Sequence, residues 1–307
     1  FGSSLSMAIR LPPQRVAVSG ASGLIGTALV GHLRNEGHTV QRFVRRPAIA
    51  RDEISWDPTA GTVDLSALEG VDAVIHLAGA GVGDKRWTKK YRSTILNSRL
   101  LGTTTIANAV ATVAPSVFIS ASAIGWYGET GNRAMTEEDR GGDDFLAAVC
   151  REWEGAGDLA GDVRTVKIRT GLVLDPTGGA LGRMIPLFRL GLGGKLGNGK
   201  QWWSWITLHD QIRAICHLME SKLSGAVNLV SPNPATNQEF TAALARAMHR
   251  PALFPAPSIA LKLALGGFSS EILGSKKILP QALVNDGFNF DYPHLTSALE
   301  ALVSPVK

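Results

Sequence analysis

The sequence predicts an α/β fold in which a doubly wound parallel sheet precedes a smaller, mainly helical C-terminal lobe. Two observations support this prediction. Short apolar runs rich in Val and Ile alternate with longer segments of helical periodicity up to about residue 172, and strands separated by helices form parallel sheets. After residue 231, helical patterns and proline-rich turns replace the strands.

The first strand, predicted over residues 16–19, runs directly into a turn with three glycines at a spacing of three, and a helix is predicted over residues 24–36. Gly20 can adopt the positive φ of a tight turn, Gly23 lets the main chain approach a pyrophosphate, and Gly26 lets the helix pack closely on the strand. The pyrophosphate would be bound by free N–H groups at the start of the helix. This order of elements indicates a Rossmann-type dinucleotide-binding unit.

The end of the second strand, predicted over residues 39–44, indicates which dinucleotide binds. An acidic residue there would bind the ribose 2′-hydroxyl of NAD, whereas this chain has Arg45 and Arg46, whose guanidinium groups suit a 2′-phosphate. The predicted cofactor is therefore NADP. The alternative is that both arginines are solvated surface charges.

Further elements continue the alternation. Strands are predicted over residues 53–56, 71–77, 117–120, 165–168 and 226–230, and helices over residues 89–113, 143–159 and 238–248. The predicted domains are a tag or linker (1–13), an NADP-binding Rossmann domain (14–172 plus 206–230) and a substrate lobe (173–205 plus 231–307). Ligands of such sheets bind beyond the carboxyl ends of the strands, so the substrate site is expected between the lobes.

The stretch of residues 191–205 combines five glycines with three tryptophans. It is predicted to be a flexible lid that ends in an aromatic wall, with Trp203 and Trp205 contacting the substrate. The alternative is that the tryptophans anchor the two lobes to one another, since Trp is a common packing residue.

Composition limits the classes of function. The chain of 307 residues has a net charge of +5, which is too mild and too dispersed to indicate a nucleic-acid partner. Its longest apolar stretch, residues 252–268, is broken by two prolines and a lysine, so neither a membrane span nor a membrane partner is predicted. Only Cys150 and Cys216 are present, which fits a reducing, cytoplasmic compartment and offers no metal-ligand spacing. The expected partner is a small-molecule substrate, and the expected assembly is a monomer or a homodimer.

Several motifs are shared with a known superfamily. They are the glycine-rich turn at residues 20–26, His76-Leu77-Ala78-Gly79, Ser120-Ala121-Ser122-Ala123 followed by Tyr127-Gly128, and Arg169-Thr170-Gly171. Together they resemble extended short-chain dehydrogenases/reductases, the nucleoside-diphosphate-sugar epimerase superfamily. A second set is similar to an atypical subgroup usually called epimerase family proteins: Trp56-Asp57-Pro58, Arg86-Trp87-Thr88, Ser98-Arg99, Trp153-Glu154, residues 201–206, Leu279-Pro280, Gly287-Phe288 and Phe290.

The resemblance implies cofactor-binding roles for residues of this chain. In chain order, the pyrophosphate residues are Gly20, Ser22, Gly23, Leu24, Ile25 and Gly26. Arg45 and Arg46 would bind the 2′-phosphate and Asp57 the adenine side. Leu77, Ala78 and Gly79 would lie at the nearer ribose, and Ile119, Ser120, Arg169 and Thr170 near the nicotinamide end.

The chain departs from the superfamily at the acid–base residues. Working members use a Tyr with a Lys four residues later, and the lysine lowers the phenol pKa so that the tyrosine can transfer a proton. None of the three tyrosines of this chain has a lysine four residues on. The helix that should carry the pair offers Phe145 with Val149, or Leu146 with Cys150, depending on the alignment offset. The acids of sugar-nucleotide dehydratases are also missing, since residues 123–125 are Ala, Ile and Gly.

Ser122 and Tyr127 remain as candidate catalytic residues. A serine hydroxyl can hydrogen-bond a substrate carbonyl, and a tyrosine with an ordinary pKa of about 10 can donate a proton but is a poor base at neutral pH. The alternative for Ser122 is a hydroxyl that caps its own strand end. The resulting hypothesis is an NADP-binding oxidoreductase or epimerase-like enzyme that transfers hydride on a polar, sugar-nucleotide-like carbonyl or alcohol. The alternative is a non-catalytic NADP-binding sensor or scaffold.

Overall fold

The computed structural model describes residues 12–303. Its strands, in chain order, are β1 (Arg15–Ser19), β2 (Thr39–Val44), β3 (Glu53–Asp57), β4 (Thr62–Val63), β5 (Ala73–His76), β6 (Val117–Ala123), β7 (Ala134–Met135), β8 (Thr165–Thr170), β9 (Leu172–Asp175), β10 (Trp202–Trp203), β11 (Trp205–Thr207), β12 (Gly225–Leu229), β13 (Ala235–Thr236) and β14 (Lys277–Ile278).

The α-helices are α1 (Leu24–Asn35), α2 (Leu65–Leu68), α3 (Lys89–Val113), α4 (Phe145–Gly157), α5 (Gly179–Arg189), α6 (Leu208–Glu220), α7 (Asn237–Ala247), α8 (Ser258–Leu265), α9 (Ser269–Leu273), α10 (Gln281–Asn285) and α11 (Leu295–Val303). Within residues 12–303, none of these helices is both long enough and apolar enough to cross a bilayer.

Eight strands form the central sheet in the order β12-β8-β6-β5-β1-β2-β3-β4. All neighbouring strands are parallel except β3 and β4. The chain moves outward from β1 through β2 and β3, and then outward on the other side from β5, so the strand order reverses between β1 and β5. This topology confirms the predicted doubly wound fold, and it opens a crevice for a ligand at the reversal point.

Helices cover both faces of the sheet. On one face α1 and α6 bury apolar side chains, among them Leu29 and Ile215, against sheet residues such as Val166. On the other face α3 packs Ile106 and Val110 against the sheet, and α4 lies beside α3. Both faces are apolar, as expected of a parallel sheet that is buried on both sides.

The second lobe has its own core, which combines α5, α7 and α11 with Trp205 of β11. The predicted boundary needs one correction, because Leu283 and Phe288 are buried in the cluster that covers the sheet. Residues 281–290 therefore return from the predicted substrate lobe to the Rossmann domain. The predicted tag or linker lies outside the described residues, apart from residues 12 and 13, which belong to no helix or strand.

The glycine-rich turn is packed too closely for any side chain at two positions. Gly20 has a φ of +67°, and a Cβ there would lie 2.8 Å from the main-chain carbon of Leu77. A Cβ on Gly26 would lie 2.1 Å from the carbonyl oxygen of Gly20. The turn, the helix α1 and the loop after β5 are therefore in direct main-chain contact, which fixes the shape of the crevice.

Substitution of Gly26 tests this contact. Gly26→Ala is expected to lower the free energy of unfolding by about 1–3 kcal/mol, because the added methyl group overpacks the main chain. Gly31→Ala in the same helix is the matched control: nothing lies within 4 Å of its Cβ position, so the better helix propensity of Ala should raise stability by up to about 1 kcal/mol. Urea unfolding of both variants measures the difference. Equal stabilities would show that α1 does not pack as closely as described.

Candidate functional site

The crevice at the start of α1 has the features of an anion site. The N-cap residue Gly23 provides no capping side chain, and the first turn contains no acid. The first N–H groups of the helix are therefore open to a phosphate, which the positive end of the helix dipole favours. Together with the close packing of the turn, this arrangement fits a dinucleotide pyrophosphate.

The loop after β5 is fixed beside this turn by Ser19. Its hydroxyl is hydrogen-bonded to Nδ1 of His76 at 2.6 Å and accepts the N–H of Leu77 at 3.1 Å. Burial lowers the pKa of His76 to about 3, so its imidazole is neutral. His76 thus positions the loop that continues through Ala78 and Gly79. Because its imidazole is neutral, it cannot form an ion pair with a ligand.

Arg99 is a further candidate for ligand binding. In the sequence it is marked only as part of the Ser98-Arg99 motif. Its Nη1 donates to the carbonyl oxygens of Ala80 at 2.9 Å and Ile95 at 3.1 Å, and its guanidinium lies over the Trp153 ring at 4.7 Å. Its stem contacts the position that a Cβ of Gly79 would approach, at 3.5 Å. Burial lowers the pKa of Arg99, and no acid within residues 12–303 pairs with it. A partly buried cation without an acid beside the cofactor loop is suited to an anionic or hydroxyl ligand.

The end of β2 borders a cavity of about 410 Å³ whose lining includes Arg45, Arg46, Trp56 and Asp57. The two arginines differ in a way that the sequence did not indicate. Arg46 donates to both carboxylate oxygens of Glu53, at 2.9 and 2.7 Å, and these bonds lower the pKa of Glu53 to about 2. Arg45 is exposed and makes no hydrogen bond or ion pair within the described part of the chain. Arg45 is therefore the guanidinium that is free to bind a 2′-phosphate.

A buried polar network joins the carboxyl ends of the strands on the far side of the crevice. Arg169 of β8 forms a bidentate hydrogen bond with Glu154 of α4, at 2.8 and 2.9 Å. The Ser122 hydroxyl donates to the same carboxylate at 2.6 Å. All three side chains are less than a tenth exposed. Ser122 therefore binds a helix across the sheet face, and it does not cap its own strand end as the alternative interpretation had it.

The predicted role of Tyr127 as a proton donor needs correction. Its hydroxyl donates to Oδ1 of Asn228 at 2.8 Å and accepts from Nη1 of Arg169 at 3.0 Å. Burial raises the pKa of Tyr127 to about 12, and only 2% of the residue is exposed. Because its single proton is already donated within the protein, Tyr127 is a packing residue of the buried network.

Three residues predicted near the nicotinamide are also less open than expected. The side chains of Ile119 and Ser120 are buried in the sheet, and that of Arg169 is held in the network. Thr170, in contrast, is partly exposed and accepts a hydrogen bond from Gln211. Of these four residues, only Thr170 is therefore open to a ligand.

A second cavity of about 410 Å³ lies between the two lobes. Its lining comes from both lobes: Trp87, Arg92, Glu129, Asp144, Phe145, Leu146, Ser270, Glu271 and Lys276. Arg92 lies over the ring of Phe145 at 4.9 Å, and Lys276, which is only 7% exposed, pairs with Glu271 at 3.0 Å. The cavity offers aromatic surface and charges of both signs, which suits a polar small molecule.

The tryptophans of residues 191–205 do not line this cavity. Trp205 is completely buried in the core of the second lobe, and its indole N–H donates to the carbonyl of Asn233, which corrects the prediction that it contacts substrate. Trp203 donates to the carbonyl of Ile272 and packs on Phe240. Trp203 and Trp205 therefore pack within the second lobe. The alternative interpretation, that the tryptophans join the two lobes, fits only Trp202, whose indole N–H donates to Oδ1 of Asn132 at 3.0 Å.

One cluster resembles a metal site in composition. The ligand atoms of His209, Asp210 and Asp291 lie within 4.8 Å of one another. Asp210 accepts the main-chain N–H groups of Asp291 and Tyr292, and Arg213 pairs with both carboxylates. These bonds give the cluster a structural role in joining α6 to the C-terminal segment.

Comparison with known proteins agrees with this geometry. The model of the NAD dependent epimerase/dehydratase family matches residues 16–148, and a domain of unknown function matches residues 256–302. An epimerase family protein of Mycobacterium leprae is 42% identical over 92% of this chain and 94% of its own length. The chain belongs to the epimerase family proteins. This confirms the resemblance to extended short-chain dehydrogenases/reductases.

Two solved structures of the family extend the comparison. The crystal structure of human epimerase family protein SDR39U1 with NADPH has a TM-score of 0.87 and 33% identity, and the match covers 94% of this chain and 98% of that one. The nucleoside-diphosphate sugar epimerase from Corynebacterium glutamicum has a TM-score of 0.78 and 34% identity, with 95% of this chain and 58% of that chain covered.

Two side chains of α4 face the end of β6. A Cβ on Gly125, just beyond the end of β6, would lie 3.2 Å from the Cβ of Leu146 and 3.6 Å from the sulfur of Cys150. Cys150 also donates to the carbonyl of Ala123. Leu146 and Cys150 therefore face the end of β6, and burial raises the pKa of Cys150 to about 12. Neither residue can act as a base at neutral pH.

Proposed function

We propose that the protein binds NADPH in the crevice between β1 and β5 and reduces a carbonyl group of a polar, sugar-nucleotide-like substrate in the cavity between the lobes. The observation that carries the proposal is the closely packed glycine-rich turn, open at the helix N-terminus, with the unpaired guanidinium of Arg45 at the end of β2. A human relative with the same fold was solved with NADPH.

The binding residues follow from the crevice. The 2′-phosphate is bound by Arg45, and the adenine side lies along Asp57. The loop of Leu77, Ala78 and Gly79 borders the nearer ribose, and Arg99 extends this border toward the cavity between the lobes. NADPH supplies the hydride when bound. The pyrophosphate is bound by the turn and the start of α1, through Gly20, Ser22, Gly23, Leu24, Ile25 and Gly26.

The proton for carbonyl reduction is assigned to Lys276. Its side chain is buried and lines the cavity together with Leu146. Leu146 belongs to the helix that would carry the tyrosine of the superfamily, and it faces the end of β6. Ser122 is a positioning residue: it donates to Glu154 and is only 4% exposed, so it holds α4 at the end of β6 and does not contact the substrate.

Epimerisation is disfavoured by the same geometry. It begins with oxidation of an alcohol, which needs a base. Two groups close to the end of β6 that could lose a proton are Tyr127 and Cys150, and burial raises both pKa values to about 12. These groups remain protonated at neutral pH, so neither supplies the base. The carboxylates that line the cavity are engaged within the protein: Glu129 by the N–H of Ser275, Asp144 by the N–H of Ala147 and Glu271 by Lys276. Reduction is therefore the favoured direction.

A non-catalytic sensor or scaffold is the second candidate function. It is favoured by the replacement of the acid–base pair with Leu146 and Cys150, and by the use of Glu154, Arg169 and Tyr127 in a buried network. Such a protein would bind NADPH and turn nothing over.

Substitution of Arg45 tests the choice of cofactor. Arg45→Ala is expected to weaken NADPH binding about tenfold or more, because a charge-assisted hydrogen bond to the 2′-phosphate contributes about 1.5–3 kcal/mol, and to leave NADH binding unchanged. Titration calorimetry with both nucleotides measures this. Arg51→Ala is the control, since Arg51 is exposed on the neighbouring turn and does not line the cavity. Equal affinity of the native protein for NADPH and NADH would contradict the assignment.

Substitution of Lys276 tests the chemistry. With the native protein, NADPH consumption is expected with members of a panel of polar carbonyl compounds, and UDP-glucose epimerisation is expected to be slow or absent. Lys276→Met should lower kcat about 10²–10⁴-fold, the usual range for loss of a general acid. Lys277→Met is the control, because Lys277 lies over the Trp202 ring, outside the cavity.

Three results would separate the hypotheses. Robust epimerisation at neutral pH would show that another group acts as a base. Reduction that is insensitive to Lys276→Met would remove the assignment of the proton donor. Tight NADPH binding without turnover of any carbonyl compound would favour the sensor or scaffold.

A further inference from the structure

Two segments of the second lobe run side by side and form one corner of the molecule. The first, residues 176–205, contains α5, and the second, residues 240–270, contains α8. The N–H of Phe254 donates to the carbonyl of Gly193 at 3.3 Å, and that of Ala256 donates to the carbonyl of Lys195 at 2.9 Å. We call the surface of these two segments the basic corner.

Exposed apolar side chains are concentrated on the basic corner. Of the twelve large apolar side chains that are exposed in the described residues, seven lie here: Leu187, Leu190, Leu192, Leu253, Phe254, Ile259 and Leu263. Four of them, Leu190, Leu253, Ile259 and Leu263, are each 72% exposed. Ile259 and Leu263 lie one turn apart on α8, so they share a face of that helix. Exposed apolar side chains concentrated in this way are typical of interaction sites, membrane sites among them.

The charges of the same two segments all have one sign. They contain seven basic residues and no Asp or Glu: Arg183, Arg189, Lys195, Lys200, Arg246, Arg250 and Lys262. Within residues 12–303, Arg183 is the only member of this set that pairs with an acid, and its partner Asp84 lies 3.6 Å away. The exposed apolar side chains therefore share these two segments with six basic residues that pair with no acid in the described part of the chain.

We propose that the basic corner docks on an anionic lipid surface. Side chains such as Phe254 and Ile259 would enter the boundary between head groups and acyl chains, while the surrounding Lys and Arg side chains would bind the anionic head groups. This interaction needs no membrane-spanning helix. The proposal departs from the sequence-based expectation that the chain has no membrane partner, which stays a prediction.

Other occupants fit the corner less well. A symmetric contact with a second copy would place the same patch of unpaired cations against itself, which costs free energy through like-charge repulsion. A nucleic acid would satisfy the cations, but among the seven exposed apolar side chains only Phe254 could stack on a base. A lipid surface satisfies both the cations and the aliphatic side chains.

Co-sedimentation of the full chain with vesicles tests the proposal. Binding is expected to vesicles of phosphatidylcholine that contain phosphatidylglycerol, and not to vesicles of phosphatidylcholine alone. Lys262→Glu is expected to weaken binding at least about fivefold, because each basic residue near an anionic membrane contributes about 1 kcal/mol. Ile259→Ser combined with Leu263→Ser is expected to weaken it by more than about tenfold, because both side chains would lose their burial in lipid.

Leu159→Ser is the matched control, since Leu159 is exposed but lies outside the basic corner; it should bind as the native protein does. Thermal unfolding of each variant shows that the fold is retained. The proposal is overturned if the native chain does not sediment with phosphatidylglycerol vesicles at low salt, or if the Ile259 and Leu263 changes leave binding intact. It is also overturned if the same changes instead abolish a concentration-dependent dimer measured by light scattering.

Discussion

The ion pair between Glu154 and Arg169 determines how three strands of the sheet end. Arg169 lies at the end of β8 and Glu154 on α4, and both are buried. Through Glu154 the pair holds Ser122 of β6, and through Tyr127 it reaches Asn228 of β12. Since charges removed from water are costly unless they are paired, each partner requires the other. The far wall of the crevice is built on this pair.

The same pair bears on the chemistry proposed for the site. The Tyr and Lys that the resemblance to the superfamily implies on this helix do not occur in the sequence of α4. Here the face of α4 that meets the end of β6 carries Leu146 and Cys150, and Glu154 one turn later is held by Arg169. The helix thus stabilises the Rossmann half of the protein, and the proposed proton donor, Lys276, comes from the second lobe. Reaction would then require both lobes.

Much of the fold could be predicted because its signals are local. The glycine-rich turn and the alternation of strands and helices need only short stretches of sequence, and the predicted strand at Thr39–Val44 and helix at Lys89–Val113 have the predicted bounds. The predicted strand at residues 117–120 was too short, since β6 continues through Ala123 and so brings Ser122 into the sheet.

The site could be predicted only in part because its contacts are distant in sequence. Ser122 and Glu154 are 32 residues apart, and Tyr127 and Asn228 are 101 apart, so no periodicity revealed that these polar groups satisfy one another. Lys276 reaches the cavity from the C-terminal region, and no motif marked it. The pairing of Arg46 with Glu53 is easier to predict from sequence, because the two residues are close in the chain and strands β2 and β3 are neighbours in the sheet.

The most direct test is a double-mutant cycle on the ion pair. Glu154→Gln and Arg169→Met are each expected to lower the free energy of unfolding by about 3–5 kcal/mol, because each leaves a buried charge unpaired, while Glu152→Gln on the exposed side of α4 should have little effect. The account predicts that the double variant is less destabilised than the sum of the single variants, with a coupling energy of about 2 kcal/mol or more. Additive losses in urea unfolding would contradict it, because the two side chains would then not depend on one another.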